Sequence, residues 1–221
     1  MNKSGGQRVE VRFMRTLIFL CCCALIATAA GSERDRSKMP TVLILGDSLS
    51  AGYGLKRDDA YPALLPKKAV AAGFDLKALN AGVSGDTTAD GLRRLPQLLH
   101  HHFDVLVVEL GINDAFRGVP VTQIEANLQA IIDLTKRRYP KVRIVIAGMQ
   151  LPQSSDDDYI SAFGEMFQRI AQHNEAELVP FLLAGVAGNP ALNQPDMIHP
   201  NATGQQILAA NIWPVLQRAL R

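Results

Sequence analysis

Two short segments, far apart in the chain, carry side chains suited to nucleophilic catalysis. Ser48 follows Gly46 and Asp47 directly after an apolar run, and His199 lies near the carboxyl end, three residues after Asp196. A serine hydroxyl is a weak nucleophile and needs a base within hydrogen-bond reach, oriented by a third group. An Asp just before a His in one tight loop can hold the Nδ1 proton and leave Nε2 facing the serine. We therefore predict a catalytic triad of Ser48, His199 and Asp196.

Each of these residues also has an ordinary structural explanation. A serine after a strand is often a turn or helix-capping residue, and a loop histidine is often simply hydrogen-bonded. The other histidines, His100 to His102 and His173, lie on or beside predicted helices, which leaves His199 as the candidate base. Adjacent histidines on a helix point in different directions, and no carboxylate or cysteine spacing supports them as ligands. We predict no metal site.

Two further loops can supply hydrogen-bond donors to an oxyanion. Acyl transfer requires such donors, and each is typically worth about 3 kcal/mol of transition-state stabilisation. Gly82 could present a main-chain amide and Asn113 a side-chain amide, beside the amide of Ser48. Either residue alone is more often a turn residue. Their placement after successive strands favours an oxyanion hole formed by Ser48, Gly82 and Asn113.

The segments that must position these side chains alternate between short apolar runs and amphipathic stretches. Five runs are apolar on both faces, as strands covered by helices on two sides are; they cover residues 41–45, 76–80, 105–110, 142–147 and 178–181. This alternation predicts an α/β fold, a three-layer α/β/α sandwich around a five-stranded parallel sheet. Functional groups are expected on loops at the carboxyl ends of the strands.

The predicted helices are marked by apolar spacing and by start signals. Apolar residues recur three or four apart between the strands, at Leu92, Leu95 and Leu99, at Ile124, Leu128 and Ile131, and at Phe163, Phe167 and Ile170. Three polar pairs at capping-box spacing predict helix starts, namely Thr122 with Glu125, Ser155 with Asp158, and Thr203 with Gln206.

The first thirty residues form a separate unit in the sequence. Four basic residues precede an apolar run over residues 17–27, and Ala27-Thr28-Ala29 is a cleavage site of the A-x-A type. The run is shorter than the roughly 20 residues that span a bilayer. Residues 1–30 are therefore predicted to be a secretory signal peptide, with a start at Met1 or Met14, rather than an anchor. We expect a periplasmic or secreted protein with no stable membrane span after cleavage.

Composition and charge exclude several other classes. The chain has 221 residues, of which 48% are hydrophobic and 20% charged, too apolar for disorder and too varied for a fibre. A formal net charge of +2 provides no basic field for a phosphate backbone, so we expect no nucleic-acid partner. All three cysteines, Cys21 to Cys23, lie in the apolar run. The domain predicted over residues 40–221 therefore has neither a disulfide nor a thiol nucleophile.

The four motifs together resemble those of the GDSL or SGNH hydrolases, over residues 41–204. The four matching blocks are Gly46-Asp47-Ser48-Leu49, then Gly82, then Gly111-x-Asn113-Asp114, and finally Asp196-x-x-His199-Pro200. The resemblance implies a flavodoxin-like fold and a serine hydrolase that needs no cofactor. It also assigns Ser48, Gly82 and Asn113 to the oxyanion hole, and Asp196 with His199 to the triad.

Three longer stretches are similar to one branch of that family, the periplasmic acyl-CoA thioesterase/lysophospholipase/arylesterase enzymes. They are Gly52-Tyr53-Gly54-Leu55, the segment 80–88 and the segment 113–118. The resemblance implies small-molecule substrates, carboxylic esters and acyl thioesters. Where that branch usually continues Leu-Pro with Pro-Asn-Tyr-Gly, this chain has Gln-Ser-Ser-Asp, which leaves the chain-length preference open. For the acyl chain we expect contacts from Phe116, Leu151 and Pro152.

Two other functions stay open from the sequence. A carbohydrate O-acetyl esterase of the same family uses the same centre with a different pocket. A non-catalytic periplasmic binding protein is less favoured, because a binding protein does not need a Ser, a His and an Asp together. The sequence also leaves the oligomeric state open.

Overall fold

The computed structural model describes residues 39–152 and 158–221. In these residues the strands are β1 (Thr41–Gly46), β2 (Lys77–Gly82), β3 (Val105–Glu109), β4 (Arg143–Ala147) and β5 (Glu177–Val179). They form one sheet in the order β2-β1-β3-β4-β5, and every neighbouring pair is parallel. The predicted five-stranded parallel sheet is confirmed. The predicted signal peptide, residues 1–30, lies outside the described residues.

The helices are α1 (Ser48–Ala51), α2 (Tyr61–Ala71), α3 (Thr88–Leu98), α4 (Ile112–Phe116), α5 (Val121–Arg138), α6 (Asp158–His173) and α7 (Ala202–Ala219), and a 3₁₀ turn covers Arg57–Asp59. Helix α2 packs against α7, while α5 packs against both α3 and α6. These two helical groups form the outer layers of the predicted sandwich. Within residues 39–152 and 158–221, none of the helices combines the length and the hydropathy of a transmembrane span.

The strands and helices bury the residues that their patterns predicted. In the central strands, Val42 and Ile44 of β1 and Leu106 and Val107 of β3 are completely buried, because helices cover both faces of the sheet. On the helices, the apolar residues at helical spacing, such as Ile131, face the core. The chain leaves β1 toward one sheet edge and β3 toward the other, so their carboxyl ends flank the crevice where such folds place their sites.

The structure corrects several predicted element ends. Helix α5 is N-capped by Pro120 and not by Thr122. Helix α7 is N-capped by Asn201, whose side chain accepts from the Gly204 amide at 3.0 Å, so the helix begins before Thr203, which lies within its first turn. Strand β5 ends at Val179 rather than at residue 181, since Pro180 has no N–H for the ladder. The third predicted start, Ser155, lies outside the described residues.

Candidate active site

The candidate nucleophile, Ser48, begins the short helix α1 at the carboxyl end of β1. Asp47 caps this helix, and its Oδ1 accepts from the Leu49 amide at 3.0 Å. The turn closes at Gly52, whose φ of +73° is in the left-handed region that favours glycine. The hydroxyl of Ser48 is therefore carried by a turn that is capped at both ends.

The candidate base comes from the loop before α7. Both main-chain amides of Ile198 and His199 donate to Asp196 Oδ1 at 3.0 Å, and Asp196 Oδ2 lies 2.7 Å from His199 Nδ1. His199 Nε2 lies 3.1 Å from Ser48 Oγ. The hydrogen bond from the His199 amide, with those from the imidazole and from Ile198, lowers the pKa of Asp196 to about 2. The structure thus brings the three predicted triad residues together, with an ionised carboxylate behind the imidazole.

Asn113, in α4, lies close to the turn from Asp47 to Gly52 that carries Ser48, called the nucleophile turn below. Its Nδ2 donates to Asp47 Oδ2 and to the Asp86 carbonyl, both at 3.0 Å. The next residue, Asp114, is almost fully buried and accepts from the amide and hydroxyl of Thr88 at 2.8 and 2.6 Å. Asp114 therefore fixes α4 against the first turn of α3, and this contact sets where Asn113 points.

Gly82 is not placed as the sequence predicts. Its main-chain amide already donates to Asn80 Oδ1 at 2.9 Å. A Cβ at Gly82 would lie only 2.7 Å from Ser50 Cβ, so the glycine allows β2 to approach α1 closely. Gly82 still belongs to β2, in register with Gly46. The structure therefore does not present its amide as a free donor toward Ser48.

The turn after β2 contains a different glycine whose amide is free. Gly85 has a φ of +84°, in a turn closed by the hydrogen bond from the Asp86 amide to the Val83 carbonyl at 3.1 Å. Within the described residues, no acceptor pairs with the Gly85 amide. The Asp86 carbonyl, one residue later, accepts from Asn113. Gly85 was not among the predicted site residues, although a Ser-Gly-Asp turn is a typical setting for a left-handed glycine.

A cavity of about 620 Å³ opens beside Ser48 and His199. Its lining includes the predicted acyl-chain residues Phe116, Leu151 and Pro152, together with Met197 and Ile198, which the sequence did not single out for this role. Phe116 is 61% exposed and Ile198 54% exposed at its mouth. A cavity of this size with a mainly apolar lining and a few polar groups suits an apolar ligand of considerable length.

Comparison with known proteins identifies the family. Residues 44–207 match the model of the GDSL-like lipase/acylhydrolase family. The chain belongs to this family. Esterase TesA of Pseudomonas aeruginosa is 38% identical over 208 residues, which cover 94% of this chain and 100% of that esterase. Thioesterase 1/protease 1/lysophospholipase L1 of Escherichia coli K12 is 38% identical over 170 residues, 76% of this chain and 79% of that enzyme.

A solved structure agrees with these relatives. The crystal structure of TesA is 38% identical to this chain, with a TM-score of 0.76, and the match covers 81% of this chain and 99% of that one. The predicted GDSL or SGNH family is therefore confirmed. This GDSL hydrolase acts on ester bonds, and its substrates are small-molecule esters.

Behind the nucleophile turn, the GDSL hydrolase buries two carboxyl groups, Asp47 and Glu109, both with no exposed surface. Burial raises the pKa of Asp47 to about 6. Burial and the nearby Asp47 charge raise the pKa of Glu109 well above its usual range. The sequence pattern indicates no role for Glu109, which ends an apolar run. No group of His, Cys, Asp or Glu that could hold a metal occurs in the part of the chain that the structure describes.

Two other residues contact His199 or its loop, and neither was predicted to have this role. The ring of Tyr53 lies against the imidazole of His199, with 4.4 Å between ring centroids. Gln194 Nε2 donates to the Tyr53 and Pro200 carbonyls at 2.7 and 3.1 Å. The main-chain amide of Gln194 donates to the His199 carbonyl at 2.7 Å. Gln194 therefore joins the loop that carries His199, residues 194–200 and called the histidine loop below, to the segment after α1. No pattern around Gln194 could have indicated this role.

Proposed function

We propose that this GDSL hydrolase is an exported serine esterase that cleaves carboxylic esters and acyl thioesters through an acyl-enzyme on Ser48. One observation carries the proposal: Ser48 Oγ lies 3.1 Å from His199 Nε2, and the other imidazole nitrogen lies 2.7 Å from Asp196. This is the geometry that a serine needs for activation by a general base.

The acylation step follows from these contacts. Ser48 Oγ attacks the acyl carbonyl as His199 Nε2 takes its proton, and the Asp196 carboxylate stabilises the imidazolium that forms. The tetrahedral intermediate collapses, and His199 returns the proton to the leaving alcohol or thiol. Water then attacks the acyl-enzyme by the same proton route, which releases the acid and restores Ser48.

The developing oxyanion needs donors, and we assign the Ser48 amide, Asn113 Nδ2 and the Gly85 amide to this role. Gly85 replaces the predicted Gly82, because the Gly82 amide already donates a hydrogen bond to Asn80 Oδ1. Both N–H groups of Asn113 have acceptors in the free protein, a carboxylate and the Asp86 carbonyl. The bond to the neutral carbonyl is the weaker one. It is therefore the one that the oxyanion replaces.

The cavity favours acyl chains longer than acetyl. The cavity has a volume of about 620 Å³, and Phe116, Leu151 and Ile198 are in its lining. An acetyl group would contact only a small part of this apolar lining, whereas each additional CH₂ buried there contributes about 0.8 kcal/mol. This supports an acyl esterase over a carbohydrate O-acetyl esterase. The names of the Escherichia coli relative, thioesterase and lysophospholipase, support acyl thioesters and lysophospholipids as the classes to assay first.

Export is part of the proposal and depends on the signal-like pattern of residues 1–30. Expression of the full chain in a Gram-negative host should yield a processed protein in the periplasmic fraction, with a new amino terminus near residue 30 by mass spectrometry. An unprocessed chain in the cytoplasmic fraction would contradict export and leave the esterase proposal intact.

The enzymatic proposal is tested by the variants Ser48→Ala and His199→Ala. We expect each to lose at least about 10³-fold in kcat on p-nitrophenyl octanoate, whereas the matched surface variants Ser161→Ala and His173→Ala keep wild-type turnover. Undiminished turnover in either triad variant would contradict the mechanism. Faster hydrolysis of acetyl xylan than of octanoyl and palmitoyl esters would favour the O-acetyl esterase, and tight ligand binding without any hydrolysis would favour a binding protein.

A further inference from the structure

Glu109 is a buried acid that the mechanism above does not use. It ends β3 directly beside β1, in register with Gly46. Its side chain has no exposed surface, and within the described residues its Oε1 is buried without a hydrogen-bond partner. A buried polar atom without a partner is unfavourable, and more so when it is charged. Its presence beside the nucleophile turn therefore calls for a functional explanation.

The other oxygen of Glu109 holds the nucleophile turn from behind. Glu109 Oε2 accepts from the amides of Asp47 and Ser50, both at 3.2 Å, and from the Ser50 hydroxyl at 2.6 Å. These two residues flank Ser48 on either side. Gly46 leaves the space for the carboxyl group, since a Cβ there would lie 2.5 Å from Glu109 Oε2.

Glu109 lies beside Asp47, whose main-chain amide donates to Glu109 Oε2, and the two carboxyl groups are close enough for each to shift the pKa of the other. Two carboxyl groups can share a hydrogen bond only if one of them holds a proton. Because Oε2 already accepts three hydrogen bonds, the proton belongs on Oε1, the oxygen without a donor. Asp47 has its own two donors, the Leu49 amide and Asn113 Nδ2, which suit the charged form.

The other ionisable groups around the pair do not neutralise two negative charges. Arg94 points its guanidinium at Asp86 Oδ2 and at the Gly46 carbonyl, at 2.6 and 3.0 Å. Tyr61 reaches Glu109 only through the Ser50 hydroxyl. His199 attracts the Asp47 charge, and Asp86 repels it. With both carboxyls desolvated, the fully ionised pair is strongly disfavoured.

We propose that Glu109 is a positioning residue that holds a proton in the active enzyme and, by hydrogen bonding to Asp47, fixes the carboxylate that aims Asn113 at the oxyanion. This inference rests on the proposed function, since it assigns Asn113 to the oxyanion hole. The directions of the pKa shifts agree, with Glu109 raised well above its usual range and Asp47 raised only to about 6. Near neutral pH, Asp47 then carries the charge and Glu109 the proton.

The inference predicts how the enzyme responds to alkaline pH. When Glu109 loses its proton, two adjacent carboxylates repel each other, and Asp47 no longer holds Asn113 in place. We expect kcat to fall on the alkaline side with little change in KM, because an oxyanion donor acts in the transition state more than in substrate binding.

The test compares Glu109→Gln with Glu109→Leu in the full-length enzyme. Gln keeps a donor and an acceptor without a charge, so we expect it to keep kcat within about threefold at neutral pH and to remove the alkaline decline. Leu removes the hydrogen bonds, and we expect about a 10²-fold lower kcat with a similar KM. The exposed Glu165→Gln is the matched control and should keep the wild-type pH profile. A Gln variant that loses as much kcat as the Leu variant would overturn the inference.

A spectroscopic measurement covers the case in which Glu109→Leu does not fold. Infrared difference spectra should show the C=O band of a buried protonated carboxyl in the wild type at neutral pH and not in Glu109→Gln. The same band in both proteins would overturn the inference. The proposed function is judged separately by Ser48→Ala: if that variant retains turnover the mechanism fails, whereas loss in Ser48→Ala alongside equal losses in both Glu109 variants rejects only the role of Glu109.

Discussion

The two halves of the catalytic centre are held in different ways. The nucleophile turn is buried and held by residues from distant parts of the chain: Glu109 from β3, Asn80 from β2 and Gln205 from α7. The histidine loop is more exposed, with Met197 at 44% and Ile198 at 54% exposure. Its main hydrogen bonds are local, since Asp196 accepts from two amides of its own loop. The exception is the hydrogen bond that Gln194 donates to the Tyr53 carbonyl.

Because of this difference, we expect substitutions in the two regions to affect catalysis and stability to different extents. A change at the nucleophile turn disturbs the core and should affect folding and catalysis together. A change in the histidine loop leaves the core intact, so it should affect catalysis much more than stability. The loop also carries Met197 at a φ of +61°, an unfavourable conformation for a residue other than glycine, which the local hydrogen bonds of Asp196 must maintain.

The largest effect is expected for Asp196→Asn in the histidine loop. The amide no longer stabilises the imidazolium, and it allows the wrong tautomer of His199, so kcat should fall by about 10⁴-fold. Steady-state kinetics and urea unfolding would measure both properties. A variant that is as unstable as it is inactive would contradict the separation between the two regions.

Gly46→Ala tests the opposite case at the nucleophile turn. The added methyl group would lie 2.5 Å from Glu109 Oε2, so we expect a loss of about 1–3 kcal/mol in the free energy of unfolding together with reduced turnover. Gly164→Ala, in α6, is the matched control because a Cβ there meets nothing within 4 Å. That control should be stabilised by about 0.5–1 kcal/mol. Equal stability of the two variants would show that the turn is not tightly packed.

Gln194→Ala should have a smaller effect that again falls on catalysis. Loss of the bonds to the Tyr53 and Pro200 carbonyls loosens the attachment of the histidine loop, and we expect about a tenfold lower kcat/KM, on the order of 1.4 kcal/mol. Gln123→Ala, on α5, serves as the control. Wild-type kinetics in Gln194→Ala would show that Asp196 alone positions the loop.

The smallest expected effect is a difference between the two regions in how their contributions to the free energy of unfolding depend on pH. At the nucleophile turn, the pKa values of Asp47 and Glu109 are raised in the folded state. Their contribution to the stability of the fold is therefore present at low pH and is lost as the pH rises through about 6 and above. In the histidine loop, the pKa of Asp196 is lowered to about 2. Its contribution is present above the unfolded value of 3.8 and is lost as the pH falls through about 2.

Urea unfolding of the wild type and Glu109→Gln, from about pH 5 to about pH 9, measures the alkaline part of this difference. The free energy of unfolding of the wild type should decline relative to that of the variant as the pH rises. Parallel curves would mean that Glu109 holds its proton no more strongly when folded than when unfolded.

The sequence predicted the parts of this enzyme that depend on pattern. Five apolar runs located the strands, and the predicted placement of functional groups on loops at their carboxyl ends holds for Ser48 after β1 and Asn113 after β3. The short spacing from Asp196 to His199 indicated their contact, because a tight loop leaves few alternatives. The acyl-chain residues Phe116 and Leu151 line the cavity beside the centre.

The errors occur where function depends on backbone conformation or on long-range contacts. Gly82 and Gly85 lie in one motif. Only their main-chain geometry shows that the Gly82 amide donates a hydrogen bond to Asn80 while the Gly85 amide is free. Glu109 follows four apolar residues of β3 and has no local partner that would reveal its role. Gln194 acts through carbonyl groups, which carry no sequence signal.

Covalent labelling of Ser48 tests the central claim most directly. The full-length enzyme is treated with a fluorophosphonate, and the adduct is located by peptide mass spectrometry, in the wild type and in His199→Ala. We expect one adduct, on Ser48, that forms at least about 10²-fold more slowly without the imidazole. An adduct on another residue, or labelling of Ser48 at the same rate in both proteins, would contradict activation of Ser48 by His199.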